Sequence, residues 1–309
     1  MMEIRHIRIL GPGGVGGYYG GRLARLEDLT VDFVGRGEHA RAIAAKGLRV
    51  RSWRGDFHVR VTIHERIPAD GAADLLLVAV KSTSLEPTLP ELAATLSPRG
   101  VVLPLLNGLD AEERIAAHVG RARVLGGMAF IGSGIVEPGV VEHVAHGAVG
   151  IGELEGPPTP RIETVQALFE RAGIEARAVA DLKTAKWIKL AWNDVFNPTT
   201  ALTGLPVGGI LGAPGLREIA HALFSETQAV AAAEGVKISE DIRARYLGGL
   251  PDLDAYRPSM LQDAQAGKPM EVDAILGALI ERADRLGIAV PVNRTLYALL
   301  KGVEASRGR

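Results

Sequence analysis

Residues 7–26, IRILGPGGVGGYYGGRLARL, decide the fold of this chain. Residues 7–10 form a short apolar run stopped by Gly11, and residues 15–26 carry Val15, Tyr18, Tyr19, Leu23 and Leu26 in a helical pattern. The order is strand, glycine-rich turn, helix. Within it, Gly11-Pro12-Gly13-Gly14-Val15-Gly16 fits the G-x-G-x-x-G pattern of a dinucleotide-binding turn. Gly11 permits the tight turn, Gly13 lets the backbone approach a pyrophosphate, and Gly16 lets the helix sit close to the sheet. Unpaired N–H groups at the helix start stabilise the phosphates. In a chain with 38 glycines such a motif is weak alone, and a purely structural turn is the competing explanation; its place between strand and helix favours the cofactor. Gly17, Gly20 and Gly21 are assigned to packing, because glycine inside a helix costs about 0.5–1 kcal/mol relative to alanine.

Outward from that turn, residues 30–34 (TVDFV) are rich in β-branched and aromatic residues and end at Gly35-Arg36-Gly37; residues 38–46 have helical composition, closed by Gly47. Residues 48–53 and 57–63 alternate in character around Arg54-Gly55-Asp56 and predict a hairpin. Strands at 75–80 and 101–105, with a helix near 85–96 between them, are apolar throughout, as buried parallel strands are. Further strands are expected at 124–131, 139–143 and 149–152. The Pro-rich stretch 156–160 reads as a crossover loop, since a helix at 162–172 and a strand at 174–179 follow it. From 181 onward only helices are expected: 182–196, 216–233, 240–250, 259–266, 272–286 and 294–303. The predicted fold is α/β, a Rossmann-type doubly wound sheet over residues 1–180 followed by an all-helical C-terminal domain over residues 181–309.

Composition agrees with a globular chain of two domains: 309 residues, 47% hydrophobic and 23% charged. With 35 Lys and Arg against 36 Asp and Glu, neither disorder nor a nucleic-acid-binding surface is indicated. The absence of cysteine excludes disulfides, a thiolate nucleophile, iron–sulfur clusters and Cys-ligated zinc, so the chemistry must use other groups or a borrowed cofactor. The opening MMEIRHIRILGPGG lacks the apolar core of a signal peptide, and the longest apolar runs fall far short of the roughly 20 residues that span a bilayer. A soluble, cytoplasmic protein without a membrane partner is expected. His64, His118, His143 and His146 show no ligand spacing on a predicted face, so no metal is expected.

The residue after the second strand separates NAD from NADP: an acid there binds the ribose 2′-hydroxyl, whereas an arginine accommodates a 2′-phosphate. Here Arg36 follows the strand, which favours NADP(H) over the alternative of an ordinary surface arginine. Asp32 competes, but it lies inside the strand, where a solvent-facing role is the plainer explanation. Lys81 and Asn107 end two later strands, and ligands in open α/β sheets bind outside such carboxyl ends; polar residues are common there in any case. In WIKLAWNDVFNP, residues 187–198, Lys189, Asn193 and Asn197 stand four apart, each step advancing about 40° round a helix. They form one polar stripe on an apolar helix. The competing explanation is that Lys183, Lys186 and Lys189 are solvated and that Asn197 before Pro198 ends the helix. Farther on, Ser259 reads by itself as a helix cap and Glu271 as a first-turn acid favoured by the helix dipole.

These pieces together resemble the ketopantoate reductase family over nearly the whole chain. The likeness rests on GPGGVG at 11–16, Arg36, VAVKS ending at Ser82, LLNG ending at Gly108, KLAWNDVFNP at 189–198, SMLQD at 259–263 and GKPMEVD at 267–273. The resemblance implies NADPH-dependent reduction of 2-dehydropantoate to pantoate, on the route to pantothenate and coenzyme A. It implies Lys189 as the catalytic proton donor, Asn193, Asn197 and Ser259 as substrate-binding residues, and Glu271 as an active-site carboxylate that bonds the substrate hydroxyl or keeps Lys189 charged. On the cofactor side it matches residues 11–16, Arg36, Lys81 and Asn107, and it implies a homodimer. Thr203-Gly204-Leu205-Pro206 departs from an Asn that some members carry there, which bears on substrate identity. The substrate is expected between the two domains. Alternatives are a reductase of another branched 2-keto acid and a non-catalytic NADPH-binding regulator, against which retention of Lys189 argues.

Overall fold

The computed structural model describes residues 3–249 and 253–307. Strand β1 (His6–Leu10), helix α1 (Gly14–Leu23), strand β2 (Thr30–Val34) and helix α2 (Gly37–Lys46) open the chain in the expected order. Strands β3 (Leu48–Ser52), β4 (Phe57–Val59), β5 (Thr62–His64) and β6 (Ala73–Val78) follow, then the short α3 (Leu92–Thr95), β7 (Leu96–Pro104) and α4 (Ala111–Val119). A long antiparallel ribbon of β8 (Gly126–Glu137) and β9 (Val140–Gly152) precedes α5 (Pro160–Arg171) and β10 (Ala176–Val179).

Strands β5, β2, β1, β6 and β7 make one parallel sheet in that order. Ile7, Ile9, Phe33, Leu75, Leu77 and Leu103 enter one core, and Leu10, Val34, Leu76, Val78 and Val102 enter another. Both faces are covered, which is why residues 75–80 and 101–105 read as unbroken apolar runs. The strand order reverses between β1 and β6, the place where such sheets open a ligand crevice. A second sheet runs β10, β9, β3, β4, with β8 paired to β9.

Two expectations are corrected here. The hairpin accounts for only half of residues 57–63: β4 pairs antiparallel with β3, whereas β5 leaves to run parallel to β2. The side-chain period was right, but period does not name the partner strand. Asp32, expected to face solvent, is 5% exposed. The guanidinium of Arg8 on β1 grips both of its oxygens, Nε to Oδ1 and Nη2 to Oδ2 at 2.7 Å each, and also binds Asp70 at 2.9 and 3.0 Å. Burial alone would raise the Asp32 pKa, yet hydrogen bonds from Arg8 and His6 outweigh it and hold the carboxyl below its ordinary range. A buried arginine is tolerated in the sheet because its charge is matched in place.

From Leu182 onward the chain is helical: α6 (Leu182–Thr203), α7 (Val207–Gly212), α8 (Pro214–Ala233), α9 (Glu240–Leu247), α10 (Ser259–Gln265), a π turn (Asp273–Gly277) leading into α11 (Ala278–Leu286), and α12 (Pro291–Arg307). Trp187, Phe196, Leu223, Phe224, Ile275 and Leu279 are among its core residues. Leu250, the expected end of the helix predicted at 240–250, lies outside the described residues. The chain divides into two compact units: one runs to Leu106 and resumes over Ala111–Leu182, the other takes Asn107–Asp110 together with Lys183 onward. The loop after β7 thus belongs structurally to the helical unit, which a boundary near residue 180 does not anticipate. Among the described residues, no helix is long and apolar enough to cross a membrane.

Candidate active site

The carboxyl ends of β1, β2 and β6 meet at the glycine-rich turn. Gly11 holds φ at +98°, and a Cβ there would lie 2.9 Å from the Ala79 carbonyl and from Val80 Cγ1, so only glycine fits next to the segment that leads to Lys81. A Cβ on Gly35 would lie 2.5 Å from Pro12 Cγ, and His39 Nε2 lies 2.9 Å from the Pro12 carbonyl oxygen; the residue that follows Gly35, Arg36, is thereby brought to the same turn. A Cβ on Gly16 would sit 2.1 Å from the Gly11 carbonyl oxygen and 3.1 Å from Ile9 Cγ2, which accounts for its smallness by helix-to-strand packing. Gly14 is closed in by the Ser133 backbone, 2.4 Å from where its Cβ would stand. Gly13 differs: a Cβ there meets no protein atom within 4 Å. Packing does not require glycine at 13, whereas a ligand drawn close to the backbone would. Helix α1 begins here with no side-chain cap and no acid in its first turn, so its leading N–H groups offer an uncompensated partial positive charge. The turn fits a dinucleotide pyrophosphate.

Arg36 is exposed at the N-cap of α2 and, among the described residues, makes no ion pair or hydrogen bond through its guanidinium. Asp32, its rival for the ribose, has both oxygens engaged by Arg8. Lys81 is half-buried, at the N-cap of a tight turn over Ser82–Ser84.

In the helical unit, α6 carries the polar stripe. Lys189 is half-buried, Asn193 is buried, and Asn197 is 2% exposed, while Trp187, Leu190, Ala191, Val195 and Phe196 fill the core beside them. The helix does not end at Asn197. It continues through Pro198 to Thr203, although proline cannot donate to the Asp194 carbonyl one turn back. Thr199 and Thr200 donate their hydroxyls to the Val195 and Phe196 carbonyls at 2.6 Å each across that break. Asn197 Nδ2 is buried with no acceptor among the described residues, a state that natural folds rarely leave without a ligand or water. Of the lysines offered as merely solvated, Lys183 is exposed and donates to the Glu234 carbonyl, but Lys186 is 8% exposed. Lys186, offered from sequence as a solvated lysine, is thus buried one turn before Lys189.

Glu271 stands at the entrance to the π turn and accepts a hydrogen bond from Asn107 Nδ2 at 3.0 Å. The loop that brings Asn107 there is fixed at three further points. Gly108, at φ +93°, would carry a Cβ 2.5 Å from the Ala274 carbonyl oxygen in the π turn; Leu109 packs on the helical core; and Arg282 pairs with Asp110. A π turn shifts carbonyl directions relative to an α-helix and is frequent at functional sites. Ser259 is the first residue of α10, exposed, while Pro258 takes the cap position with no side-chain cap bond. The capping explanation for Ser259 therefore does not hold. No cluster of His, Cys, Asp and Glu that could hold a metal occurs among the described residues.

A parallel sheet with a glycine-rich turn at its switch point, followed by a helical unit bearing a Lys–Asn–Asn stripe and a tethered carboxylate, has the make-up of a dinucleotide-dependent oxidoreductase. Residues 7–156 match the family described as ketopantoate reductase PanE/ApbA, and residues 181–304 match ketopantoate reductase PanE/ApbA C terminal; the chain belongs to this family and is an oxidoreductase. A 2-dehydropantoate 2-reductase of Archaeoglobus fulgidus is 33% identical over 305 residues, spanning 98% of this chain and 99% of its own. The crystal structure of 2-dehydropantoate 2-reductase from Geobacter metallireducens is 35% identical, with a TM-score of 0.89 over 96% of this chain and 99% of that one. A ternary structure of D-mandelate dehydrogenase with NADH and anilino(oxo)acetate superposes with a TM-score of 0.92 over 98% of this chain and 100% of that one; at 22% identity it shares the fold.

Proposed function

We propose that the protein reduces 2-dehydropantoate to pantoate with NADPH, a step toward pantothenate and coenzyme A. Bound at the glycine-rich turn, the cofactor supplies the hydride that reduces the 2-keto carbon. Gly11, Pro12, Gly13, Gly14, Val15 and Gly16 hold its pyrophosphate, Arg36 pairs with its 2′-phosphate, and Lys81 contributes on the same side. As the carbonyl oxygen gains negative charge, the Lys189 ammonium stabilises that charge and donates the proton. Asn193, Asn197 and Ser259 orient the keto acid. Glu271, an acceptor-only group held in place by Asn107, suits both a substrate hydroxyl and the Lys189 ammonium.

The observation that carries this reading is the buried Asn197 amide, a donor for which the described residues supply no acceptor and a substrate oxygen would. A second reading, reduction of another branched 2-keto acid, is favoured by Thr203-Gly204-Leu205-Pro206, where some family members carry a further asparagine. NADPH oxidation followed by absorbance across a panel of 2-keto acids tests both. Highest kcat/KM with 2-dehydropantoate supports the first reading, and a clear preference for a different branched acid replaces it with the second.

A further inference from the structure

One turn after Arg36, helix α2 carries a histidine whose two ring nitrogens face backbone groups of opposite kind. His39 is half-buried; its Nε2 lies 2.9 Å from the carbonyl oxygen of Pro12 in the glycine-rich turn, and its Nδ1 accepts from Gly139 N at 3.1 Å. Pro12 and Gly139 are themselves buried. A carbonyl oxygen can only accept a hydrogen bond, and a backbone N–H can only donate one. The two bonds coexist only when the proton sits on Nε2 and the lone pair on Nδ1. The other neutral tautomer loses both, and a doubly protonated ring sets N–H against N–H at Gly139.

These bonds join three segments around the turn. Pro12 stands between Gly11 and Gly13, Gly139 sits at φ +81° where β8 turns into β9, and α2 starts with Arg36 at its N-cap. The end of the ribbon is seated on α2 as well, since a Cβ on Gly139 would lie 3.2 Å from Ala42 Cβ. At Ser133 the same ribbon presses its backbone on Gly14. The ribbon therefore meets the glycine-rich turn directly at Gly14 and, through His39, at Pro12. Arg36 is exposed, so where its guanidinium can reach depends on where the first turn of α2 is held. His39 is the side chain that ties that turn of helix to the other two segments.

We propose that His39, held as the Nε2–H tautomer, is a positioning residue that braces the start of α2 against the glycine-rich turn and the β8–β9 ribbon, and so sets Arg36 for the 2′-phosphate of the cofactor. The brace stands on the two bonds alone; its effect on cofactor choice rests on the proposed use of NADPH. His39 touches neither cofactor nor substrate in this account. It acts through Arg36, so its contribution should vanish when Arg36 is gone.

Two measurements test the two halves. Nitrogen-15 NMR of the full chain above about pH 7.5, where an unperturbed imidazole is neutral, should show a histidine ring, absent from His39→Gln, with Nε2 protonated and Nδ1 coupled across a hydrogen bond to the Gly139 amide. A ring protonated on Nδ1, or one without that coupling, would overturn the brace. Cofactor titrations of wild type, H39A, R36A and the double variant form a cycle. H39A should bind NADPH about 2- to 12-fold more weakly, as expected for a lost neutral hydrogen bond, bind NADH nearly as wild type does, and cost nothing further in the R36A background. His39→Gln, whose amide offers one donor and one acceptor, should recover most of the NADPH affinity. Equal losses for NADH and NADPH, or a loss that adds in full to that of R36A, would overturn the positioning of Arg36. A wild type with no preference for NADPH would refute the reading of Arg36 and with it the cofactor role of His39, while the NMR result would still decide the brace.

Discussion

Asn107 and Glu271, separated by 164 positions in the sequence, are joined by a hydrogen bond of 3.0 Å from Nδ2 to Oε2. Asn107 leaves the end of β7 to join the helical unit, and it does so through backbone contact with the π turn and the ion pair of Asp110 with Arg282. A residue read from sequence as part of the cofactor side is thus in contact with the carboxylate of the proposed chemistry.

Removing that contact should be costly. Hydrogen bonds to charged groups contribute about 1.5 to 3 kcal/mol, so Asn107→Ala should lower kcat/KM by about 10- to 150-fold. Asn107→Asp should be worse at neutral pH, because two adjacent carboxylates repel, and its activity should recover in part toward acid pH as the pair comes to share one proton. Steady-state kinetics of both variants across pH check this; an N107A enzyme within twofold of wild type would remove Asn107 from the site.

The glycines of the turn separate by what surrounds them. Gly13→Ala should melt like wild type, since its backbone is extended at φ −67° and its Cβ meets nothing within 4 Å, yet it should bind NADPH poorly. Gly16→Ala should lose stability instead, because its Cβ would press to 2.1 Å from the Gly11 carbonyl oxygen. Thermal melts paired with NADPH titrations distinguish the two, and a G13A variant that binds NADPH normally would contradict the pyrophosphate placement.

Arg36 is the residue proposed to set the cofactor preference. Loss of a charged hydrogen bond should weaken NADPH binding to Arg36→Ala by about 10- to 150-fold and leave NADH nearly unchanged. Fluorescence titration with both cofactors measures this, and a wild type that binds NADH as tightly as NADPH would show that Arg36 does not read a 2′-phosphate.

Much of this architecture was legible in the sequence because it depends on local signals. The strand–turn–helix of residues 7–26, the covered strands around Leu75 and Val101, and the change to helices after Asp181 follow from side-chain period and glycine position. What was not legible depends on partners far away in the chain. Asp32 has the look of a surface residue until Arg8 stands opposite it, and nothing near Thr62 announces that its strand will change sheets. Pro198 signals a helix end, yet tertiary packing and the hydroxyls of Thr199 and Thr200 carry α6 past it. The short α7 escaped notice because VGGILG has three glycines where a helix favours none. In the candidate site, the stripe of Lys189, Asn193 and Asn197 was visible from spacing alone. The tether of Glu271 to Asn107 was not, since no local pattern encodes it.

The central claim is that Lys189 is the proton donor, and single-turnover oxidation of NADPH with 2-dehydropantoate tests it most directly. Lys189→Ala removes both the charge that stabilises the developing alkoxide and the proton itself, so the rate should fall by about 10² to 10⁴ while NADPH affinity barely moves. Surface substitutions usually change stability by within about 0.5 kcal/mol, so a lysine without a role would leave rate and melting nearly as they were. A K189A enzyme that retains more than about a tenth of the wild-type single-turnover rate would contradict the assignment.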